Sequence, residues 1–220
     1  MVDKLSQIHP ILHFLIGLSK PKTYIETGTY KGLNIEKILE SGRYSKVVSI
    51  ELSEYWFDYN CQRFKDFANF HPYQGDSGIV LDQIWDDYDS PKVVFLDAHH
   101  SGPGTALGES QSPLIQELTA LKSKNISSSI IIIDDIRFLG KTETAQGDQI
   151  DYFDFEIDWK DITLEKITEL LPSTFMTITN SKHWITDGPA DQLLCFPVTK
   201  WRKIMILVID KYFYALFSLR

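Results

Sequence analysis

Apolar and polar positions along this chain form two patterns: short continuous apolar runs, and longer segments in which apolar residues recur every three or four positions. The continuous runs predict five strands, K-T-Y-I-E (22–26), V-V-S-I-E (47–51), H-P-Y-Q-G (71–75), K-V-V-F-L-D (92–97) and S-I-I-I-I-D (129–134). Runs rich in β-branched residues are typical of parallel strands that are covered on both faces. The pattern therefore predicts an α/β fold around a parallel sheet.

Segments with helical periodicity separate these strands. The apolar residues between Leu33 and Leu39 recur at helical spacing, and Gly42 is the predicted C-cap of that helix. The other predicted elements are an N-terminal helix at 8–18, helices at 55–67, 79–85, 113–121 and 163–171, and two last strands at 174–180 and 191–198. This order predicts a Rossmann-like, doubly wound, mostly parallel sheet with a C-terminal antiparallel strand pair and helices on both faces.

Length and composition predict a single main domain. A chain of 220 residues with 43% apolar and 13% aromatic residues can form one α/β domain, which we assign to residues 1–200. The remaining segment, 201–220, is apolar but contains Asp210 and Lys211 near its centre, which argues against a transmembrane helix. We expect this segment to pack on the core, to form a homodimer contact or to touch a membrane surface with its basic ends.

Charge and cysteine content restrict the partners and the compartment. The net charge is −8 and Lys and Arg form no dense cluster, so a nucleic acid is not the expected partner. Cys61 and Cys195 lie far apart, without the spacing of a metal site, and no N-terminal signal sequence is recognisable. These features predict a reducing, cytoplasmic location.

The motif Y-I-E-T-G-T-Y-K-G (24–32) carries the candidate chemistry. Glu26 ends a strand, Gly28 and Gly32 form a turn into a helix, and Glu51 ends the next strand nineteen residues after Gly32. A carboxylate there can accept hydrogen bonds from a ribose diol. The turn lacks the G-x-G-x-x-G spacing that a pyrophosphate needs, and Glu26 repels phosphate but can orient an ammonium group. These features indicate S-adenosylmethionine, which has a ribose and an amino-acid tail but no phosphate.

Three later motifs extend this pattern, Q-G-D-S (74–77), F-L-D-A-H-H (95–100) and I-I-I-D-D (131–135). In order and spacing, the chain resembles the Rossmann-like class I S-adenosylmethionine-dependent methyltransferases over roughly residues 22–199. The cofactor-binding residues that this resemblance implies are Glu26, Gly28, Thr29, Gly32 and Glu51, with Asp76 and Ser77 near the adenine and Asp97 near the transferred methyl group.

Acidic residues follow the fourth and fifth predicted strands. Asp97, Asp134 and Asp135 should converge beside the methyl group, and three clustered carboxylates need a cation. Oxygen ligands favour Mg²⁺, with Mn²⁺ or Ca²⁺ as alternatives. The arrangement resembles the metal-dependent O-methyltransferases of sugars and catechols, which implies these three aspartates as metal ligands. If they instead form helix caps or salt bridges, for example with Arg137, no metal is needed.

His99 lies where that group has a second acidic residue. It is the predicted general base, because the unperturbed pKa of histidine near 6.5 suits proton removal, and the alternatives are a fourth metal ligand or a hydrogen bond to the next loop. His100 is a weaker candidate for the same roles. The glycine-rich loop 101–110 is predicted to close over a substrate, and residues 144–159 form an insertion or a second lid.

The sequence thus predicts methyl transfer from S-adenosylmethionine to an oxygen of a small hydroxylated molecule or saccharide. His99 and Asp97 are the predicted catalytic residues, with or without a metal ion. The alternative is a non-catalytic nucleoside-binding module of the same fold that assembles through 201–220. Nicotinamide-dependent oxidoreduction is less favoured because the phosphate-binding motif is missing.

Overall fold

A computed structural model of the chain describes residues 20–102, 104–146, 154–179 and 191–198. The strands in this part are β1 Thr23–Thr27, β2 Lys46–Glu51, β3 Phe70–Gln74, β4 Lys92–Leu96, β5 Ile130–Ile133, β6 Thr142–Gln146, β7 Asp154–Asp158, β8 Phe175–Thr179 and β9 Leu193–Pro197. The α-helices are α1 Leu33–Glu40, α2 Glu54–Arg63, α3 Ser77–Ile84, α4 Leu114–Lys122 and α5 Leu164–Leu170. The predicted helix at 8–18 and the segment 201–220 lie outside the described residues.

Seven strands form one sheet in the order β3-β2-β1-β4-β5-β9-β8. Strands β1 to β5 pair in parallel, and β9 runs antiparallel to both β5 and β8. The direction of winding reverses between β1 and β4, which opens a crevice at the carboxyl ends of these strands, where ligands bind in open α/β sheets. The predicted Rossmann-like sheet with a C-terminal antiparallel pair is confirmed.

Helices cover both faces of the sheet because successive strand residues point in opposite directions. Val48 and Val94 belong to an apolar core shared with α3, α4 and α5, whereas their neighbours Val47 and Val93 belong to a core shared with α1. Both cores consist of buried side chains, most of them aliphatic or aromatic. This packing fixes the strand register and thereby the positions of the polar residues at the strand ends.

The region around residues 144–159 differs from its prediction as an irregular insertion. Strands β6 and β7 pair as an antiparallel hairpin, with Thr142 opposite Asp158. Ile157 is fully buried and Phe155 partly buried on the same strand, so the D-F-E-I-D sequence follows the two-residue period of a half-buried strand. The hairpin stands beside the carboxyl edge of the main sheet, next to the loop after β4.

Helix α2 begins and ends with clear local signals. The Ser53 hydroxyl caps its N-terminus by accepting a hydrogen bond from the Trp56 N–H. The helix ends at Arg63 rather than at the predicted residue 67, because Phe64 leaves the helical conformation and buries its ring in the core. Within the described residues, no helix has the length and hydropathy that crossing a membrane requires.

Candidate functional site

A cleft of about 1690 Å³ lies at the carboxyl edge of the sheet, where β1, β2, β4 and β5 end. Most of the predicted site residues line this cleft, because the carboxyl ends of parallel strands lie at the same edge of the sheet. The predicted residues that line the cleft are Glu26, Gly28, Thr29, Gly32, Glu51, Asp76, Ser77, Asp97, His99 and Asp135.

The turn after β1 requires glycine at two positions. Gly28 has a φ of +74°, and a Cβ atom there would overlap the backbone carbonyl of Asp97 at the end of β4. Gly32 has a φ of +70°, and a Cβ atom there would overlap the Asn60 side-chain amide. The hydroxyls of Thr29 and Ser49 form a short hydrogen bond that ties the turn to β2. The turn is therefore closely packed against the Asp97 backbone and the Asn60 side chain. The cofactor would lie on the backbone of this turn.

Glu51 holds two loops at the end of β2. Its carboxylate is buried and accepts hydrogen bonds from the Tyr30 N–H at 2.7 Å and the Ser53 N–H at 2.8 Å. A carboxylate has about four lone-pair positions, so these two bonds use only part of its acceptor capacity. The position therefore remains compatible with the predicted contact to a ribose diol.

Glu26 belongs to a buried group of hydrogen bonds on the opposite side of the turn. The Tyr24 hydroxyl donates to the Glu26 carboxylate at 2.7 Å, and the Asn34 amide also donates to it. Burial, together with the Glu26 charge, raises the pKa of Tyr24 well above its usual value, so Tyr24 remains a neutral donor. The Asn34 Oδ1 atom is buried and has no hydrogen-bond partner among the described residues. Asn34 lines the cleft and was not predicted from the sequence.

The residues predicted near the adenine are located at the start of α3. Asp76 caps this helix by accepting a hydrogen bond from the Ile79 N–H at 3.3 Å, which is the structural role of an N-cap aspartate. Ser77 is buried at the same point. Ile79 is 61% exposed and, with Leu52, presents an apolar surface to the cleft. A flat aromatic base could pack there, and neither residue was predicted.

Three side chains meet at the ends of β4 and β5. The His99 Nδ1 atom lies 3.4 Å from the Asp97 carboxylate, and its Nε2 atom lies 2.6 Å from the Asp135 carboxylate. Burial lowers the pKa of His99, but the two aspartates outweigh this effect and raise the pKa to about 10. His99 is therefore protonated at neutral pH, in contrast to the value near 6.5 used in the sequence analysis.

A second cation lies next to this group. The Arg137 guanidinium forms short ion pairs with both Asp135 and Asp191. Asp134 is buried beside them, and ligand atoms of Asp134, Asp135 and Asp191 lie within 4.8 Å of one another. Ligand atoms of Asp97, His99 and Asp135 form a second such group. The three predicted metal ligands are thus divided between two groups, which share Asp135.

These groups do not fit a bound metal ion. In one group Arg137 already bridges Asp135 and Asp191, and in the other His99 lies between the carboxylates of Asp97 and Asp135. A divalent ion at Asp135 would have to displace the Arg137 guanidinium, and His99 would have to lose its proton to serve as a ligand. The arrangement corresponds to the alternative in which the aspartates form salt bridges.

The loop after β4 is closed at its base and attached at its tip. The His100 N–H donates to the Gln111 carbonyl at 2.7 Å, which joins the two ends of loop 101–110. The Trp56 indole N–H donates to the Gly104 carbonyl at 2.7 Å, and Gly108 lies close to Leu52. The loop therefore packs against the predicted cofactor side of the cleft, which Glu26 and Glu51 line. It does not lie over the predicted acceptor side alone, which Asp97 and Asp135 line.

The β6–β7 hairpin is joined to this loop by Gln111. Its side-chain amide donates to the Glu156 carbonyl at 2.9 Å and accepts from the Asp158 N–H at 2.8 Å. Phe155 of the hairpin packs edge-on against His100, and Trp159 packs in the same way against His99. Gln111 carried no sequence signal for a site, whereas Trp159 is the last residue of the predicted insertion or lid at 144–159.

Glu117 is a further buried carboxyl group beneath the cleft. It lies in the first turn of α4 and is 1% exposed. Burial raises the pKa of Glu117 to about 7, although nearby hydroxyls of Ser77 and Thr27 lower it, and the charges of Asp76 and Asp97 raise it further. This residue was not predicted, because nothing in its local sequence distinguishes it from a solvated helix residue.

Comparison with known proteins places the fold among methyltransferases. The sequence matches no protein-family model and no curated protein sequence. The structure is similar to the O-methyltransferase TomG from Streptomyces achromogenes in complex with S-adenosylmethionine (TM-score 0.56, 13% identity, 90% of this chain and 82% of that chain). It is also similar to an O-methyltransferase from Bacillus cereus in complex with S-adenosylhomocysteine (TM-score 0.56, 14% identity, 90% and 83%).

An rRNA methylase from Streptococcus thermophilus has the same fold (TM-score 0.51, 12% identity, 87% of this chain and 98% of that chain). At these identities the similarity shows the fold alone, which is that of the Rossmann-like class I methyltransferases. Because O-methyltransferases and an rRNA methylase both have this fold, the fold alone does not indicate what the cleft binds.

Proposed function

We propose that the chain is an S-adenosylmethionine-dependent methyltransferase that acts on an oxygen of a small hydroxylated molecule or saccharide. The observation that carries this proposal is the pair of buried carboxylates, Glu26 and Glu51, on either side of the glycine turn after β1. Glu26 and Asn34 would hold the amino-acid tail of the cofactor, and Glu51 would hold its ribose. Leu52 and Ile79 would pack on the adenine.

The chemical step requires little from the protein beyond alignment and proton removal. The bond between the methyl carbon and sulfur breaks as the bond to the acceptor oxygen forms, and the sulfonium becomes a neutral thioether. The hydroxyl proton of the acceptor passes to the Asp97 carboxylate. His99, as a cation, holds Asp97 and stabilises the developing negative charge on the acceptor oxygen. No step in this mechanism uses a metal ion.

The charge of the cleft supports a small acceptor that is not a polyanion. Its acidic lining residues are Glu26, Glu51, Asp76, Asp82, Asp97, Glu109, Asp135 and Asp191, and its cationic ones are Lys31, Lys37, Arg137 and the protonated His99. A phosphate backbone would be repelled by this excess of carboxylates. Hydroxyl groups of a saccharide or polyol can donate hydrogen bonds to them. A cytoplasmic location and a homodimer remain predictions from the sequence.

Calorimetric titration with S-adenosylmethionine, S-adenosylhomocysteine and NAD tests the cofactor assignment. The wild-type protein should bind the first two and not NAD. Glu51→Ala should weaken their binding by about 1–3 kcal/mol, the cost of losing hydrogen bonds to a charged acceptor. Glu54→Ala is the matched control, because Glu54 is an exposed residue in the next helix and should not change the affinity. Failure of both adenosyl compounds to bind, or tight binding of NAD, would refute the proposal.

The acceptor class can then be tested with methyl-labelled S-adenosylmethionine. Label should be transferred to hydroxylated small molecules in a mixed library and not to RNA. Transfer to RNA alone would contradict the acceptor class and leave the cofactor assignment intact.

A further inference from the structure

The carboxyl end of β5 concentrates negative charge in a buried place. Asp134 and Asp135 are both 4% exposed, and Asp191 joins them from the segment before β9. Buried carboxylates at this separation cannot all remain ionised without a cation, because neighbouring like charges in a low-dielectric site repel strongly. A divalent metal ion is one solution, and a guanidinium group is another.

Local backbone structure brings Arg137 into this position. Asp135 has a left-handed conformation (φ 57°, ψ 31°), and a single turn of 3-10 helix follows at Ile136–Phe138. This turn folds Arg137 back onto the carboxylate two residues before it. The Arg137 guanidinium also lies over the Phe138 ring, 4.2 Å from its centroid. Two contacts within this turn therefore hold the cation in place.

The segment before β9 also contacts this group of charges through Asp191. The Ile136 N–H donates to the Asp191 carbonyl at 2.9 Å, so the backbone holds Asp191 beside the turn. The guanidinium then joins the Asp135 and Asp191 side chains across the gap. Both contacts come from the Nη1 atom of Arg137, so one positive charge lies between two carboxylates and offsets part of their repulsion.

We propose that Arg137 takes the place of a divalent metal ion in this cleft, so that the wild-type protein does not bind Mg²⁺ or Mn²⁺ there. The inference concerns the same cleft as the proposed function, but it predicts metal binding directly and does not depend on methyl transfer. Removal of the guanidinium leaves Asp135 and Asp191, beside the buried Asp134, without the cation that joins them. The vacated position then offers the oxygen ligands that Mg²⁺ and Mn²⁺ prefer.

Titration with Mn²⁺, followed by the loss of its free-ion electron paramagnetic resonance signal, tests this inference. Wild-type protein and Arg137→Lys, which keeps a positive charge, should not bind Mn²⁺ up to millimolar concentration. Arg137→Gln should bind one ion, with a dissociation constant of roughly 10⁻⁴–10⁻³ M. The double variant Arg137→Gln with Asp135→Asn should lose this binding, which locates the ion.

A thermal unfolding series covers the case in which Arg137→Gln is too unstable to titrate. Millimolar Mn²⁺ should raise the unfolding midpoint of Arg137→Gln and leave that of the wild type unchanged. Stoichiometric Mn²⁺ binding by the wild type that Asp135→Asn removes would overturn the inference. A folded Arg137→Gln protein that binds no Mn²⁺ would overturn it as well. Because both readouts measure the ion, a protein without methyltransferase activity could still confirm it.

Discussion

On the cofactor side of the cleft, Glu26 and Glu51 accept hydrogen bonds from neutral donors, whereas on the acceptor side Asp97 and Asp135 face charged side chains. The donors to Glu26 and Glu51 include the Tyr24 hydroxyl and the Tyr30 backbone N–H. The partners of Asp97 and Asp135 are His99 and Arg137. All four carboxylates line one cleft, and in the part of the chain that the structure describes, ion pairs with cationic side chains are seen at Asp97 and Asp135.

The difference follows from what each side would bind. S-adenosylmethionine carries an ammonium and a sulfonium charge, so carboxylates that keep their negative charge attract it. A hydroxylated acceptor is neutral, so uncompensated acids beside it would only raise the cost of burial. Neutral donors orient a carboxylate without cancelling its charge, whereas an ion pair does both. The same residue type therefore has opposite electrostatic roles on the two sides.

The largest effect is expected at the contact between the two sides. Gly28→Ala places a Cβ atom against the Asp97 carbonyl and should abolish measurable cofactor binding, at a cost in folding stability of roughly 2–4 kcal/mol. Gly42→Ala is the matched control, because Gly42 also has a positive φ (+59°) but no atom within 4 Å of its added Cβ. Calorimetry and chemical denaturation measure both variants. Equal losses in the two variants would mean that the φ angle, and not the contact, matters.

His99→Gln should disrupt the ion pairs of the acceptor side and leave the cofactor side unchanged. It removes the cation between Asp97 and Asp135 and should lower the methyl-transfer rate by roughly 10²–10⁴-fold, while the affinity for S-adenosylhomocysteine stays the same. His100→Gln is the control, because His100 contacts Thr105 and Phe155 instead of the aspartates. A weaker cofactor affinity in His99→Gln would show that the two sides are not separable.

Trp56→Phe should affect the cofactor side alone, and by less. It removes the hydrogen bond to Gly104 that attaches the tip of loop 101–110, a net contribution of about 1 kcal/mol. The dissociation rate of S-adenosylhomocysteine, measured by stopped-flow fluorescence, should rise about fivefold. Tyr55→Phe changes an exposed neighbour of Trp56 and should leave this rate unchanged. An unchanged rate in Trp56→Phe would mean that the loop does not control release.

The last effect concerns folding stability alone, at Glu117, which lies beneath both sides. Its pKa is raised from 4.5 to about 7, so the unfolded state loses its proton at lower pH than the folded state does. Folding stability should therefore fall as the pH rises from 4.5 to 7, and remain lower above that range. Glu117→Gln should lack this fall, which should amount to roughly 1–3 kcal/mol.

Denaturation of wild type and Glu117→Gln across this pH range measures the difference between the two curves. Glu40→Gln is the control, because Glu40 is exposed at the end of α1. Parallel stability curves for the wild type and Glu117→Gln would contradict the raised pKa of the Glu117 carboxyl group.

The sheet and the positions of its strand ends could be predicted from the sequence. A short apolar run of β-branched residues such as Ile130–Ile133 is typical of a strand buried on both faces. The carboxyl ends of parallel strands meet at a common edge of the sheet. The β6–β7 hairpin could not be predicted in the same way. Its two strands are separated by residues 147–153, and acidic residues alternate with its apolar ones, which is also typical of a solvated insertion.

The positions of the candidate site residues were predicted better than the groups that these residues contact. Glu26, Glu51 and Asp97 follow from strand ends, but the groups that they face come from distant parts of the chain. Asp191 lies 54 residues after Arg137, and only the pairing of β9 with β5 brings it to the cleft. Because an ion pair depends on both members, the protonation of His99 could not be derived from its local sequence.

The contact between Gly28 and the Asp97 carbonyl also constrains how this scaffold can diversify. It joins the turn after β1 to the end of β4, main chain against main chain. Under the proposed function, the spacing between methyl donor and proton acceptor is therefore set by the backbone, independently of which side chains surround the acceptor. Loop 101–110 and the β6–β7 hairpin can be exchanged to admit new acceptors while the trajectory of the methyl group is preserved. Such redesign has to retain glycine at position 28.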